Sequence, residues 1–159
     1  VGGMSLETKQ RDEIALLGRS MFDRGLTHAS TGNISVRTED GGWLMTPTGS
    51  CLGRLDPARI SKLDGDGNHI GGDKPTVETF LHMAVYEQRA QAQAIVHLHS
   101  THAVALSMLP VEDPDDFLPP LTPYAIMRLG KVRLLPFFVP GDAAMGGVPD
   151  DARSASAAD

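Results

Sequence analysis

This sequence is poor in several things, and each shortage narrows what the chain can be. One cysteine, Cys51, occurs among 159 residues, so no internal disulfide forms and a reducing, cytoplasmic setting is expected. Cys51 lies in a Gly/Ser-rich loop without a partner nearby in sequence and reads as a bystander. No apolar run approaches the ~20 residues of a membrane-spanning helix, and no secretory apolar segment stands near the N-terminus, so a membrane is not an expected partner. Basic residues are outnumbered, 14 Lys and Arg against 20 Asp and Glu, and no Lys/Arg stripe forms, which argues against nucleic acid. A small anionic substrate stays open, because backbone N–H groups hold phosphate without surplus positive charge.

What is present reads as one domain, with an ordinary 41% of hydrophobic residues. Ser5 can cap a helix from Leu6 to about Arg24, with Ile14, Leu17, Met21 and Phe22 at helical spacing and Gly25 as its stop. Two hairpins follow, Ile34 to Thr46 and Ser61 to Ile70. Asp56-Pro57 starts a helical turn between them. Asp64-Gly65-Asp66-Gly67-Asn68 begins like a calcium loop, but His69 and Pro75 occupy its sixth and twelfth positions, so it is a turn. A helix from about Thr76 to Arg89 should turn Phe80, Leu81, Ala84 and Val85 inward. A strand Ala94 to Leu98, a short helix around Val104 to Leu106, a helix Tyr124 to Leu129 and a strand Val132 to Val139 complete a domain over residues 1–142. From Ala143 to Asp159 only Met145 and Val148 suit a core, and a mobile, low-complexity tail is expected.

The chemistry concentrates at Val96-His97-Leu98-His99-Ser100-Thr101-His102. In a strand, residues i and i+2 share a side, so His97 and His99 present adjacent imidazoles with Cα atoms roughly 6.5 Å apart. Two imidazoles so placed suit one divalent metal, whereas a lone histidine is more often a half-buried residue at a strand end. Glu78 stands at the start of the helix that feeds this strand; by itself it would be dipole complement, but near a metal a carboxylate is an acid/base group or a further ligand. Small loops at Thr31-Gly32-Asn33, Thr48-Gly49-Ser50 and Lys74-Pro75-Thr76 offer N–H groups and hydroxyls for an anion, though turns are built of such residues anyway. Tyr124 follows a proline-rich loop, a place where tyrosine more often packs than reacts.

Four runs, Ser30-Thr31-Gly32-Asn33-Ile34-Ser35, Met45-Thr46-Pro47-Thr48-Gly49, Asp73-Lys74-Pro75-Thr76-Val77-Glu78 and His97-Leu98-His99-Ser100-Thr101-His102, resemble in this order the class II aldolase/adducin-head family of metal-dependent sugar-phosphate lyases and epimerases. The resemblance covers about Leu6 to Asp142. Within the family, the segment from His97 to Ser107, Leu118 to Tyr124 and Pro140-Gly141-Asp142 are most similar to the 3-oxo-tetronate 4-phosphate decarboxylases. It implies a three-layer α/β fold with a mostly antiparallel central sheet flanked by helices; the two hairpins independently favour antiparallel pairing. It also implies that His97 and His99 bind the metal, with Glu78 as acid/base residue and further ligand. By the same resemblance Asn33, Thr48, Gly49 and Thr76 hold the substrate phosphate, and Tyr124 reaches a site at a subunit interface of a homotetramer. The cofactor is then Zn²⁺ or another divalent cation such as Mn²⁺ or Co²⁺. The implied reaction is decarboxylation of a phosphorylated 3-oxo-tetronate, through an enediolate, to dihydroxyacetone phosphate and carbon dioxide. Related activities are sugar-phosphate aldolase or epimerase chemistry of the fuculose-phosphate or ribulose-phosphate type; an adducin-head-like scaffold would lack chemistry. His102 matches no ligand, and His28, His69 and His82 read as structural. The family takes a third metal-binding histidine from a later His-Gly segment, and no histidine follows His102. A missing C-terminal part is therefore expected, in preference to a shell of two histidines, Glu78 and water.

Overall fold

The computed structural model describes residues 5–139. Helix α1 (Leu6–Asp23) starts where its cap predicts, with Ser5 Oγ accepting the Thr8 N–H at 3.1 Å, and Gly25 beyond its end takes φ 72°. The strands are β1 (Asn33–Arg37), β2 (Trp43–Met45), β3 (Ser61–Leu63), β4 (His69–Gly71) and β5 (Ala94–His97). They form one sheet in the order β4-β3-β2-β1-β5, every neighbour antiparallel. Both predicted hairpins are present, and the Asp64 turn closes on itself, Asp64 Oδ1 accepting the Asn68 N–H at 2.8 Å. Helix α2 (Thr79–Gln88) precedes β5; α3 (Thr101–Ser107) and α4 (Pro123–Leu129) follow it.

Strand alternation gives the sheet two buried faces. One carries Ile34 and Leu44, packed with Ile14 of α1 and with Leu52 and Ile60. The other carries Trp43, Met45 and Leu63, packed with Tyr86 of α2. These are the three layers expected, with α1 on one side and α2 on the other. Lys62 is 6% exposed; its ammonium bonds Thr38 Oγ1 and Asp40 Oδ1 at 2.8 and 2.9 Å, and these contacts hold the Asp40 carboxyl below the usual carboxylate range.

Four expectations change. Leu17 is 58% exposed, because α1 turns Ile14 and Gly18 inward. Gly18 lies so close to the 3-10 turn Leu52–Arg54 that a Cβ there would stand 2.7 Å from the Leu52 carbonyl oxygen. The inward residues of α2 are His82 and Tyr86, while Phe80, Leu81, Ala84 and Val85 are only half-buried. That helix begins at Thr79, leaving Glu78 just outside it as the N-cap residue. Residues 132–139 form no strand: Val132 O accepts the Phe117 N–H and the Leu134 N–H reaches Pro114 O, but Pro136 has no N–H to extend a ladder. The tail expected from Ala143 lies outside the described residues.

Two consequences are measurable. Helix propensity favours Gly18→Ala by about 1 kcal/mol, but the Cβ meets a backbone carbonyl that cannot swing away, and overpacking costs about 1–3 kcal/mol. We expect a net loss of up to about 2 kcal/mol, read as a lower urea midpoint at unchanged m-value; a raised midpoint contradicts the close approach. Burial of His82 lowers its pKa from 6.5 to about 4. The unfolded chain therefore binds the proton more tightly, and this contribution is complete above pH 6.5 and lost as pH falls toward 4. In metal-free protein it should cost on the order of 3 kcal/mol across that window. His82→Gln should flatten that part of the stability profile, and an unaltered slope would refute the assignment.

Candidate metal centre

The site forms where β1 and β5 pair, with Asn33 directly opposite His97. Gly32 makes the close approach possible. It takes φ 79°, and a Cβ there would lie 2.9 Å from the His97 carbonyl oxygen. The register puts Asn33, Ser35 and Arg37 of β1 and Ile95 and His97 of β5 on the face covered by α2. This inverts the usual pattern, since Asn33 and Ser35 are 5% and 0% exposed and a buried polar face must find its partners inside the protein.

Glu78 supplies one of those partners. Standing before the first turn of α2, with φ −90° and ψ 15°, its side chain makes no cap for that helix. Its Oε2 accepts from Asn33 Nδ2 at 2.6 Å and lies 3.1 Å from His97 Nδ1. Thr76 Oγ1 is 3.4 Å from the same Asn33 amide and accepts the Glu78 N–H at 3.3 Å. The ring of His99, just past the end of β5, lies 4.8 Å from that of His97, centroid to centroid. Glu78, His97 and His99 each bring one ligand atom within 4.8 Å of the other two.

The contact between His97 and Glu78 is close without being a hydrogen bond. His97 Nδ1 is buried 3.1 Å from Oε2 without a hydrogen bond of good geometry. Ligand atoms about 2 Å from a tetrahedral Zn²⁺ stand roughly 3.3 Å from one another. Burial holds the His97 imidazole below its ordinary pKa although the Glu78 carboxylate opposes this, which favours the neutral form that ligates metals. Two imidazoles and a carboxylate, one nitrogen orphaned, fit a divalent cation.

Of the residues singled out from sequence, Asn33, Thr76, Glu78, His97 and His99 come together. Thr48 and Gly49 lie one loop away, in a cavity of about 550 Å³ shared with Ser30, Ser50, Cys51 and Arg54. The Pro47–Pro75 bridge joins that loop to the one leading to Glu78; neither Glu78 nor the histidines line the cavity. Tyr124 stands apart on α4, 76% exposed. His102 does not join the cluster. Sequence reasoning missed the buried polar layer beneath the site, formed by His82, Ser35 and Tyr86. The spacing of His82 and Tyr86, one helical turn apart, opposite Asn33 and Ser35 two residues apart in a strand, was its signal.

Comparison with known proteins identifies the family of the chain. The family model described as Class II Aldolase and Adducin N-terminal domain matches residues 12–158. A 3-oxo-tetronate 4-phosphate decarboxylase from Cupriavidus necator is 51% identical over 142 residues, covering 89% of this chain and 65% of that protein. An L-fuculose phosphate aldolase from Escherichia coli is 44% identical over 85 residues, covering 54% of this chain and 39% of the aldolase. Among solved structures, YgbL from Escherichia coli superposes with a TM-score of 0.86 at 43% identity, covering 90% of this chain and 69% of that one. The chain thus spans a little under two thirds of the length of the decarboxylases it matches. It belongs to the class II aldolase and adducin N-terminal domain family.

Proposed function

We propose that this chain carries the metal- and phosphate-holding part of a decarboxylase acting on a phosphorylated 3-oxo-tetronate. The observation that carries the proposal is the trio Glu78, His97 and His99, whose central contact brings a carboxylate oxygen and an unpartnered imidazole nitrogen to 3.1 Å. Identity of 46–51% to proteins named for this decarboxylation supports the choice of substrate. A divalent cation, Zn²⁺, Mn²⁺ or Co²⁺, held by the trio would supply the Lewis acid that draws off the electrons left when carbon dioxide departs.

The protein's own groups divide the remaining work. The Thr48-Gly49 loop, with Thr76 beside it, offers the polar groups for the substrate phosphate, while Asn33, expected among them, commits its amide to Glu78, Thr76 and His82. Glu78, clamped by Asn33, is positioned to pass a proton taken up from solvent to the carbon that lost carbon dioxide, giving dihydroxyacetone phosphate. Tyr124, exposed on α4, is available to act from a neighbouring copy in a homotetramer. Among the described residues no helix is long and apolar enough to cross a membrane. Aldol cleavage is the second reading, favoured by 44% identity over 85 residues to L-fuculose phosphate aldolase, because it requires the same cation and the same proton carrier but a different leaving group.

The test uses the chain loaded with Zn²⁺, Mn²⁺ or Co²⁺ and given 3-oxo-tetronate 4-phosphate or fuculose 1-phosphate in parallel. Turnover of the first alone is expected, and turnover of the second alone replaces decarboxylation by aldol cleavage. Glu78→Gln should lower kcat by at least about 10²-fold. His97→Ala should abolish stoichiometric metal by elemental analysis, and full metal content in that variant would remove His97 from the ligand set.

A further inference from the structure

Beneath the candidate centre runs an unbroken line of hydrogen bonds that neither metal nor phosphate binding requires. Tyr86 Oη lies 2.9 Å from Ser35 Oγ, and Ser35 Oγ 2.6 Å from His82 Nδ1. His82 Nε2 lies 2.5 Å from Asn33 Oδ1, and Asn33 Nδ2 2.6 Å from Glu78 Oε2. Ser35 and His82 are 0% exposed, Tyr86 2% and Asn33 5%, so no solvent competes for these bonds.

Chemistry gives this line one direction. An ionised Glu78 only accepts, so Asn33 must turn its N–H side toward it and its carbonyl toward His82. That carbonyl needs a donor, which makes His82 Nε2 the protonated nitrogen. His82 Nδ1 then accepts from the Ser35 hydroxyl, and Ser35 in turn accepts from Tyr86, whose hydroxyl burial keeps protonated. We propose that His82 is a positioning residue: through its Nε2–H it fixes the Asn33 side-chain amide with the donor side toward Glu78, and so presents Glu78 as an oriented acceptor beside His97. The assignment rests on the reading of Glu78 as the acid/base group.

The amide of Asn33 is nearly symmetrical in shape, so packing alone does not choose between its two orientations. Flipped, it would set Oδ1 against the Glu78 carboxylate at 2.6 Å, acceptor against acceptor. A hydrogen bond to a charged group contributes about 1.5–3 kcal/mol, so losing this one would disturb the carboxylate that the chemistry needs. Family resemblance in sequence pointed to Asn33 and Glu78 individually; the buried imidazole behind the Asn33 amide emerges only from the packing of α2 on β1.

The experiment is imidazole ¹⁵N NMR on the histidine-labelled chain, with the Asn33 side-chain amide followed in parallel, in the parent protein, His82→Gln and His82→Met. Gln keeps an N–H near the position of Nε2; Met keeps bulk and loses the donor. We expect His82 as the neutral Nε2–H tautomer. One slowly exchanging Asn33 amide pair should appear in the parent and in His82→Gln, and a doubled or fast-exchanging pair in His82→Met. An Nδ1–H tautomer, or an Asn33 amide unaltered in His82→Met, would overturn the proposal. Circular dichroism verifies that both variants fold. In turnover, His82→Met should lose about 10-fold or more in kcat at unchanged metal content, with His82→Gln within a few-fold of the parent; equal kcat in both would also overturn it. Failure of the Glu78 reading looks different: Glu78→Gln would retain full turnover while the His82 tautomer and the Asn33 amide behaved as expected.

Discussion

The structure depends on a buried polar face. Strand β1 alternates as Asn33, Ile34, Ser35, Val36, Arg37, and a strand with one face in water would send its polar side outward. Here Ile34 joins the core beneath α1, and the polar side is covered by α2 instead. Unpaired, Asn33 and Ser35 would cost about 1–3 kcal/mol each. Covering the polar side with helix therefore obliges that helix to bring complementary polar groups, and His82 and Tyr86 are those groups. The same obligation fixes how α2 is rotated, and through α2 it fixes where Glu78 enters the site.

Along this layer the character changes from one end to the other. At the Arg37 end the guanidinium bonds the carbonyls of Ala92 and Tyr86 at 2.9 and 3.1 Å and lies 4.6 Å from the Tyr86 ring centroid, closing the layer against solvent. At the Asn33 end no such cap exists among the described residues, and the row ends in a carboxylate and two imidazoles. The sheet beneath is braced by apolar packing on both sides. The row itself is pinned by backbone register and by hydrogen bonds at every step.

Those features explain what was legible. The cap and stop of α1 and both hairpins follow from local chemistry and were readable without tertiary information; strand period put His97 beside His99, but β5 ends at His97 and the two rings meet with His99 outside the strand. Which face α2 buries was not. Phe80, Leu81, Ala84 and Val85 suggest an apolar inner face, but the partner surface is polar and selects His82 and Tyr86. Glu78 was singled out while the start of its helix was misplaced by three residues, at Thr76 instead of Thr79, since helix boundaries depend on where the chain must swing to satisfy a contact. The fate of 132–139 was unreadable for a related reason. Strand character in sequence becomes a strand only when a partner edge is presented, and the two backbone bonds from this stretch run to Pro114 and Phe117 rather than to the sheet.

The contact between Glu78 and His97 is where fold and chemistry meet most directly. A carboxylate and an imidazole 3.1 Å apart would ordinarily share a proton along the line between them. Here burial favours the neutral ring while the Glu78 carboxylate opposes it, and the two meet without a well-aligned bond. Both groups are held. His97 is fixed by its register opposite Asn33, and Glu78 by the Asn33 amide at 2.6 Å. One residue therefore restrains both sides of this contact.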